Sequence, residues 1–341
     1  MAFAQTPDRR FVEWDKNKDG RLSKEELPRN LQRNFNRVDA DKNGFISLAE
    51  HQRVSGAGRK RQRNRGPMIA GYRIKTDIPY VGTDNPRQML DLALPDKRNS
   101  DRPLPVLAFI HGGGWRNGSK NGGLRRIAPL LQAGGYAGVS IGYRLSGEAK
   151  WPAQIDDCRA AIRWLKANAK KYNLDPDRIA VHGTSAGGHL VAMLGVTGSD
   201  ETRVACVVDY FGPTELLTMD DHPSKIVHNA PGSPESQLIG GAIQQNKAKT
   251  RQASPISHVS RDDAPILIAH GTEDALVAYP QSVDFHAKLK QAGVDSTLIT
   301  VKGAGHGLGG TKLQSIVTRF LAIHLLDKVD SIKDQTLPVG D

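Results

Sequence analysis

Three sets of short segments in this 341-residue chain carry the residue types that acyl transfer requires. The first is Gly183-Thr184-Ser185-Ala186-Gly187, set between the apolar run Ile179-Ala180-Val181 and the helix-compatible run Leu190-Val191-Ala192-Met193-Leu194. A serine hydroxyl is a weak nucleophile at neutral pH, so it must be presented on a sharp strand-to-helix turn where a base reaches it. Small residues on both sides permit that turn. The second segment set supplies the base and its orienting acid. His306 lies in Gly303-Ala304-Gly305-His306-Gly307, and Asp274 in His270-Gly271-Thr272-Glu273-Asp274, each just after a strand pattern. The third, His111-Gly112-Gly113-Gly114-Trp115, follows the apolar run Val106-Leu107-Ala108-Phe109-Ile110. Glycines there let backbone amides come close to a carbonyl oxygen that is becoming negative.

A separate chemistry is written in the first 50 residues. Asp15-Lys16-Asn17-Lys18-Asp19-Gly20-Arg21-Leu22-Ser23-Lys24-Glu25-Glu26 puts oxygen donors at positions 1, 3 and 5, glycine at 6 and glutamate at 12. Asp39-Ala40-Asp41-Lys42-Asn43-Gly44-Phe45-Ile46-Ser47-Leu48-Ala49-Glu50 repeats the pattern 24 residues later. Alternate carboxylate and amide oxygens converge on a hard cation, glycine allows the reversal, and the last glutamate closes the shell. Position 7 offers only its carbonyl, so Arg21 and Phe45 are acceptable ligands there. The expected calcium ligands are Asp15, Asn17, Asp19, Arg21 and Glu26, then Asp39, Asp41, Asn43, Phe45 and Glu50. The competing reading is a pair of Asx-rich turns that bind no metal. The segment resembles an EF-hand pair. Only residues 27 to 38 separate its loops, and Pro28 interrupts them, so either two very short helices or one broken helix must connect them. Phe11, Trp14, Leu31, Phe35 and Val38 are the expected apolar core, small enough to depend on metal.

The elements that position the first three segments follow from residue 68 onward, where β-rich runs alternate with helical ones. Strands are predicted over 88–94, 105–110, 137–141, 179–181, 204–208, 266–269 and 297–301. A helix is predicted over 154–170, with Ile155, Cys158, Ile162 and Leu165 on one face. The order Ser, Asp, His differs from the chymotrypsin and subtilisin orders. Residues 68 to about 327 resemble an α/β hydrolase of the carboxylesterase group, which implies a mostly parallel central sheet flanked by helices. The resemblance makes Ser185 the nucleophile, His306 the base and then the acid, and Asp274 the group that holds the imidazole. It places the oxyanion hole on the amides of Gly113, Gly114 and Ala186, and it prefers Asp274 over Glu273 as the acid. Trp115 is then a wall of the acyl pocket or part of the core. His111 and His189 are expected to be structural. His182, His222, His228, His258, His270 and His286 lack metal-ligand spacing.

The HGGGW segment is shared with hormone-sensitive-lipase-like esterases, but Thr184 stands where that family usually has aspartate. The runs Gly183 to Leu190, Trp151-Pro152-Ala153-Gln154 and Ala253-Ser254-Pro255-Ile256 are more similar to feruloyl and acetylxylan esterases. The resemblance therefore implies short-chain or carbohydrate-linked acyl esters as substrates, cleaved with no cofactor. The alternatives are a serine peptidase of the prolyl-oligopeptidase type and a calcium-dependent attachment protein with an inactive hydrolase fold. Residues 211 to 260, rich in Gly, Pro, Ser and Asn, are expected to shape the substrate entrance.

Charge bears on partners. The chain carries +11, of which residues 1–66 hold 16 Lys and Arg against 9 Asp and Glu. The excess is concentrated at Arg59-Lys60-Arg61-Gln62-Arg63-Asn64-Arg65, flanked by glycines, with no aromatic residue interleaved for base stacking. That argues for a solvated linker and against nucleic acid. No apolar run reaches the roughly 18 residues of a membrane span. Ala2-Phe3-Ala4-Gln5 has the form of the end of an export signal, so a periplasmic or extracellular setting is expected. Cys158 and Cys206 are expected to be small buried thiols. The organisation is then an EF-hand-like calcium module over 1–55, a basic linker over 56–67, a catalytic domain over 68–327 and a tail over 328–341. Surface or polysaccharide attachment is the role expected for the first module.

Overall fold

A computed structural model describes residues 9–51, 69–97 and 101–341. Residues 2–5, read above as the end of an export signal, and 56–67, read as a basic linker, lie outside the described residues. The chain divides into two compact units, Met1–Gly66 and Pro67–Asp341.

In the smaller unit, the described helices span Arg9–Trp14, Arg29–Gln32 and Phe35–Val38, and the strands are β1 (Arg21–Leu22) and β2 (Ile46–Ser47). Two separate short helices therefore join the loops, with Pro28 at the N-cap of the first. β1 pairs antiparallel with β2 and sets Leu22 opposite Ile46, the eighth residue of each loop. The core is Phe11, Leu22, Leu27, Phe35 and Ile46, with Trp14, Val38 and Leu48 packed against it. Leu31 was expected in this cluster and is only half-buried. The two position-8 residues join Phe35 of the second connecting helix in closing the core.

The larger unit is an α/β hydrolase fold. Its strands are β3 (Tyr72–Pro79), β4 (Met89–Pro95), β5 (Leu104–Ile110), β6 (Ala137–Ile141), β7 (Leu174–Thr184), β8 (Cys206–Tyr210), β9 (Ile266–Gly271), β10 (Ser296–Lys302) and β11 (Gln335–Pro338). They form one sheet in the order β11-β10-β9-β8-β7-β5-β6-β4-β3. β4 runs antiparallel to β3 and β6, and every other neighbour is parallel. All seven predicted strands are present. The stretch 328–341, expected as a tail, instead carries β11, which pairs with β10 from Ile299 to Lys302. Leu337 is its buried anchor, at 3 % exposure.

Both faces of the sheet are covered, as near-continuous apolar strands require. Side-chain alternation divides β5 between two cores: Val106, Ala108 and Ile110 join one, Leu107 and Phe109 the other. The helices Ala153–Ala167, Ala186–Val196 and Pro280–Ala292 pack on the first face, and Gly123–Gly134 and Thr311–Leu326 on the second. Ile155, Cys158, Ile162 and Leu165 are all buried on the predicted helical face. Cys158 and Cys206 are free, buried thiols assigned to opposite cores. No helix among the described residues is long and apolar enough to cross a membrane.

Candidate active site and metal loops

Parallel strands end at the same edge, and loops leaving that edge converge. β7 ends at Thr184 and delivers Ser185, β5 delivers the His111 loop, β9 delivers Asp274 and β10 delivers His306. Four segments far apart in sequence thus meet at one end of the sheet.

Ser185 sits at φ 57° and ψ −123°, a left-handed conformation rare for a residue with a side chain. Its amide donates to Tyr210 O at 2.9 Å, and the helix Ala186–Val196 starts at the next residue. The turn is tight enough to require its glycines. A Cβ on Gly183 would lie 2.1 Å from Gly187 O, and one on Gly187 would lie 2.1 Å from Ile110 O.

His306 Nε2 is 2.9 Å from Ser185 Oγ, and His306 Nδ1 is 2.7 Å from Asp274 Oδ2. Asp274 Oδ1 accepts from the amides of Leu276 and Val277 at 2.9 and 3.0 Å. Burial alone would raise the Asp274 pKa, but bonds from His270, His306 and those two amides outweigh it and hold the carboxyl well below its ordinary range. Glu273, the neighbouring candidate, is exposed.

Sequence reasoning set His270 aside, and the structure does not. Its Nε2 is 3.2 Å from Asp274 Oδ2 and 2.9 Å from Val277 O, and its Nδ1 is 2.7 Å from Ser282 Oγ. The spacing to Asp274 is four residues in the same segment, a signal that was available. His189 is structural, as expected: burial drives its pKa down to about 4, and Nε2 meets Ala253 O at 2.6 Å. Trp115 belongs to the core and also borders the cavity. It is 1 % exposed, and its indole Nε1 donates to His189 Nδ1 at 3.1 Å. His111 stacks on Tyr143 at 4.2 Å, and burial lowers its pKa to about 4.

A cavity of about 960 Å³ opens at these residues and is bordered by Gly113, Gly114, Ser185, Ala186 and His306. Gly113 and Gly114 have φ of 114° and 58°, so both occupy the left-handed region that glycine tolerates. The segment after β8 contributes Phe211, Pro213, Ile226, Pro234 and Glu235 to the cavity, which agrees with its expected place at the entrance.

The two N-terminal loops share one hydrogen-bond scheme. Asp15 accepts from the amides of Asp19 and Gly20, and Asp39 from those of Asn43 and Gly44. Glu26 accepts from the amides of Lys16, Asn17 and Ser23, and Glu50 from those of Ala40, Asp41 and Ser47. The side chains at position 7 stack on each other, with the Arg21 guanidinium 4.0 Å from the Phe45 ring centroid. In the second loop, carboxylate oxygens of Asp39, Asp41 and Glu50 lie within 4.8 Å of one another, the convergence a hard cation needs. Among the described residues the acids of the first loop do not gather as closely.

The chain matches the BD-FAE family over residues 90–289 and the EF-hand family over residues 8–32 and 31–55. It is 32 % identical over 236 residues to Esterase LipC of Mycobacterium tuberculosis, covering 66 % of this chain and 58 % of that protein. The chain thus spans little more than half the length of this curated relative. Among solved structures, a truncated form of a carbohydrate esterase from gut microbiota is 34 % identical with TM-score 0.70, over 77 % of this chain and 100 % of that one. The bifunctional GH43-CE of Bacteroides eggerthii is 31 % identical with TM-score 0.67, over 74 % of this chain and 35 % of that one.

Proposed function

The chain belongs to the BD-FAE family, and from that premise we infer that it is a serine carboxylesterase acting on short-chain or carbohydrate-linked acyl esters, of acetyl or feruloyl type. The observation that carries this reading is the line of hydrogen bonds from Ser185 through His306 to Asp274. Ser185 Oγ attacks the acyl carbon as its proton passes to His306 Nε2. Asp274 holds the opposite ring nitrogen and balances the charge of the imidazolium. The amides of Gly113, Gly114 and Ala186 receive the oxyanion. The imidazolium protonates the departing alcohol, and water activated by His306 then releases the acid from Ser185. The carbohydrate side of the reading is supported by the carbohydrate esterase and the GH43-CE protein to which the chain is similar.

The N-terminal loops are assigned to calcium in a structural or tethering role. Their oxygen donors suit a hard cation, and calcium supplies the unit with a cross-link that its small core lacks. The setting is assigned outside the cytoplasm, on the form of residues 2–5.

The test is covalent labelling. A fluorophosphonate should label Ser185 in the native protein and fail on Ser185→Ala. The same substitution should lower turnover of 4-nitrophenyl acetate by ~10³-fold or more. Undiminished turnover in Ser185→Ala, or no labelling, would leave the attachment reading in its place.

A further inference from the structure

Pro234 and Glu235 open a short helix, Pro234–Ile239, that stands against the glycine loop. A Cβ on Gly114 would fall 3.2 Å from Pro234 Cβ, so this helix start is tight against the residue assigned to the oxyanion hole. Glu235 borders the same cavity as Ser185 and His306. It is 3 % exposed, an unusual burial for a glutamate.

A buried carboxylate normally has its oxygens satisfied. Glu235 Oε2 has no hydrogen-bond partner among the described residues, and Oε1 is not enclosed in the same way. His228, itself 1 % exposed, lies beside it with Nδ1 3.0 Å from Oε2, although the contact is too poorly aligned to be a hydrogen bond. The imidazole is fixed in turn, with Nε2 3.2 Å from Ser224 Oγ. Ser233 Oγ ties the start of this helix to the His228 backbone, accepting from Ser236 N at 3.0 Å and donating to the His228 carbonyl. Oε2 is thus enclosed against His228, and Oε1 is the oxygen that keeps acceptor capacity at the edge of the cavity.

The geometry points to Glu235 as a specificity-determining residue that accepts a hydrogen bond from a hydroxyl flanking the ester in an acylated sugar or polyol. This rests on the esterase reading above and deepens it. A carboxylate also attracts cations, but Glu235 is the one acid among the described residues bordering the cavity, which Arg116 and Arg126 border too. Two guanidinium groups disfavour a cationic alcohol and leave a neutral donor as the complementary group. A site built to bond a substrate hydroxyl rejects the analogue that lacks it, because its own polar group is then left unpaired.

The experiment compares kcat/KM for a monoacetate of methyl xyloside, its O-methylated counterpart and acetylcholine. The native protein should favour the free-hydroxyl ester over the capped one by about tenfold or more. Glu235→Ala should bring that ratio close to one, and Glu235→Gln should lower it several-fold. Melting temperatures report whether each variant is folded, and the native preference stands as a test that needs no variant. Equal rates on the free and capped esters in the native protein overturn the inference while leaving the esterase reading intact. So does an unchanged ratio in folded variants, or a larger loss on acetylcholine than on the sugar ester. Hydrolysis of none of the three, together with absent labelling of Ser185, overturns both.

Discussion

His270 Nε2 lies 3.2 Å from Asp274 Oδ2, the same oxygen that meets His306 Nδ1 at 2.7 Å. One carboxylate oxygen thus faces two imidazoles, and only one of them reaches the serine. The second is fully buried and fixed at its other nitrogen by Ser282 Oγ. Through Oδ2 it holds the acid that His306 meets, which is the part of a positioning residue. His270→Ala should therefore lower kcat by about tenfold with KM little changed, whereas Asp274→Asn should cost ~10⁴-fold, as when the tautomer of the base is lost. Steady-state kinetics on 4-nitrophenyl acetate check both, and equal losses would contradict the division of roles.

The elbow depends on glycine at a position that touches no substrate. Gly183→Ala would push a methyl group to 2.1 Å from Gly187 O, so the turn has to open. Turnover should fall ~10²-fold or more, the scale expected when catalytic atoms are displaced by about 1 Å. A crystal structure of the variant with Ser185 unmoved, or native turnover, would contradict this.

Asp209, fully buried in β8, supplies a pH-dependent term in stability. Burial raises its pKa to about 7, with a partial offset from the Gly212 amide, and its Oδ2 has no partner among the described residues. Between the unfolded value near 4 and the folded value, the native state keeps a proton that the unfolded chain releases. Stability therefore falls as pH rises through that window, by up to about 1.4 kcal/mol per unit. Asp209→Asn removes this term. Its melting temperature should gain on that of the native protein from pH 4 to pH 7 and run parallel above. A gap that does not vary with pH would refute the assignment.

Calcium should govern the smaller unit alone. Backbone hydrogen bonding from Ser47, with further bonds from the Ser47 hydroxyl and the amides of Ala40 and Asp41, offsets burial and holds Glu50 at about 2. Glu50, the ligand proposed to close the shell, is thus ionised throughout the neutral range and is neutralised only as pH falls through about 2. Chelation at pH 7 should melt the unit whose core is Phe11, Leu22, Leu27, Phe35 and Ile46, while the hydrolase unit keeps its transition and its esterase rate. Calorimetry with and without chelator, alongside Glu50→Gln, tests this. Coupled loss of both transitions would show that the metal has a wider role.

The parts of the molecule that announce themselves locally were legible in the chain. The strand before Ser185, the glycines around it, and the order of Asp274 and His306 follow from backbone sterics and from chemistry that admits few residue types. The seven predicted strands were apolar runs, and all are present. The two strands of the nine-stranded sheet that were not predicted sit at its edges. β3, Tyr72–Pro79, buries only Tyr72 and carries Arg73, Lys75 and Asp77 exposed, and β11 has one buried residue, Leu337, so neither gives the apolar signal of a central strand. Trp115 left its two readings open because an aromatic beside a glycine loop suits core and pocket equally. Its partner, His189, is 74 residues away.

By itself, the sequence determined which groups were available for chemistry and in what order. A nucleophilic serine needs a glycine-lined turn, and a calcium loop needs oxygen at fixed spacings, so both constraints act within a dozen residues. Tertiary structure alone decided how those groups are backed: His270 behind Asp274, His228 beside Glu235, and Asp209 buried with an oxygen unpaired among the described residues. Those relationships depend on which strand ends and loops pack together, and on how deeply each carboxylate is removed from water, neither of which is encoded by local spacing.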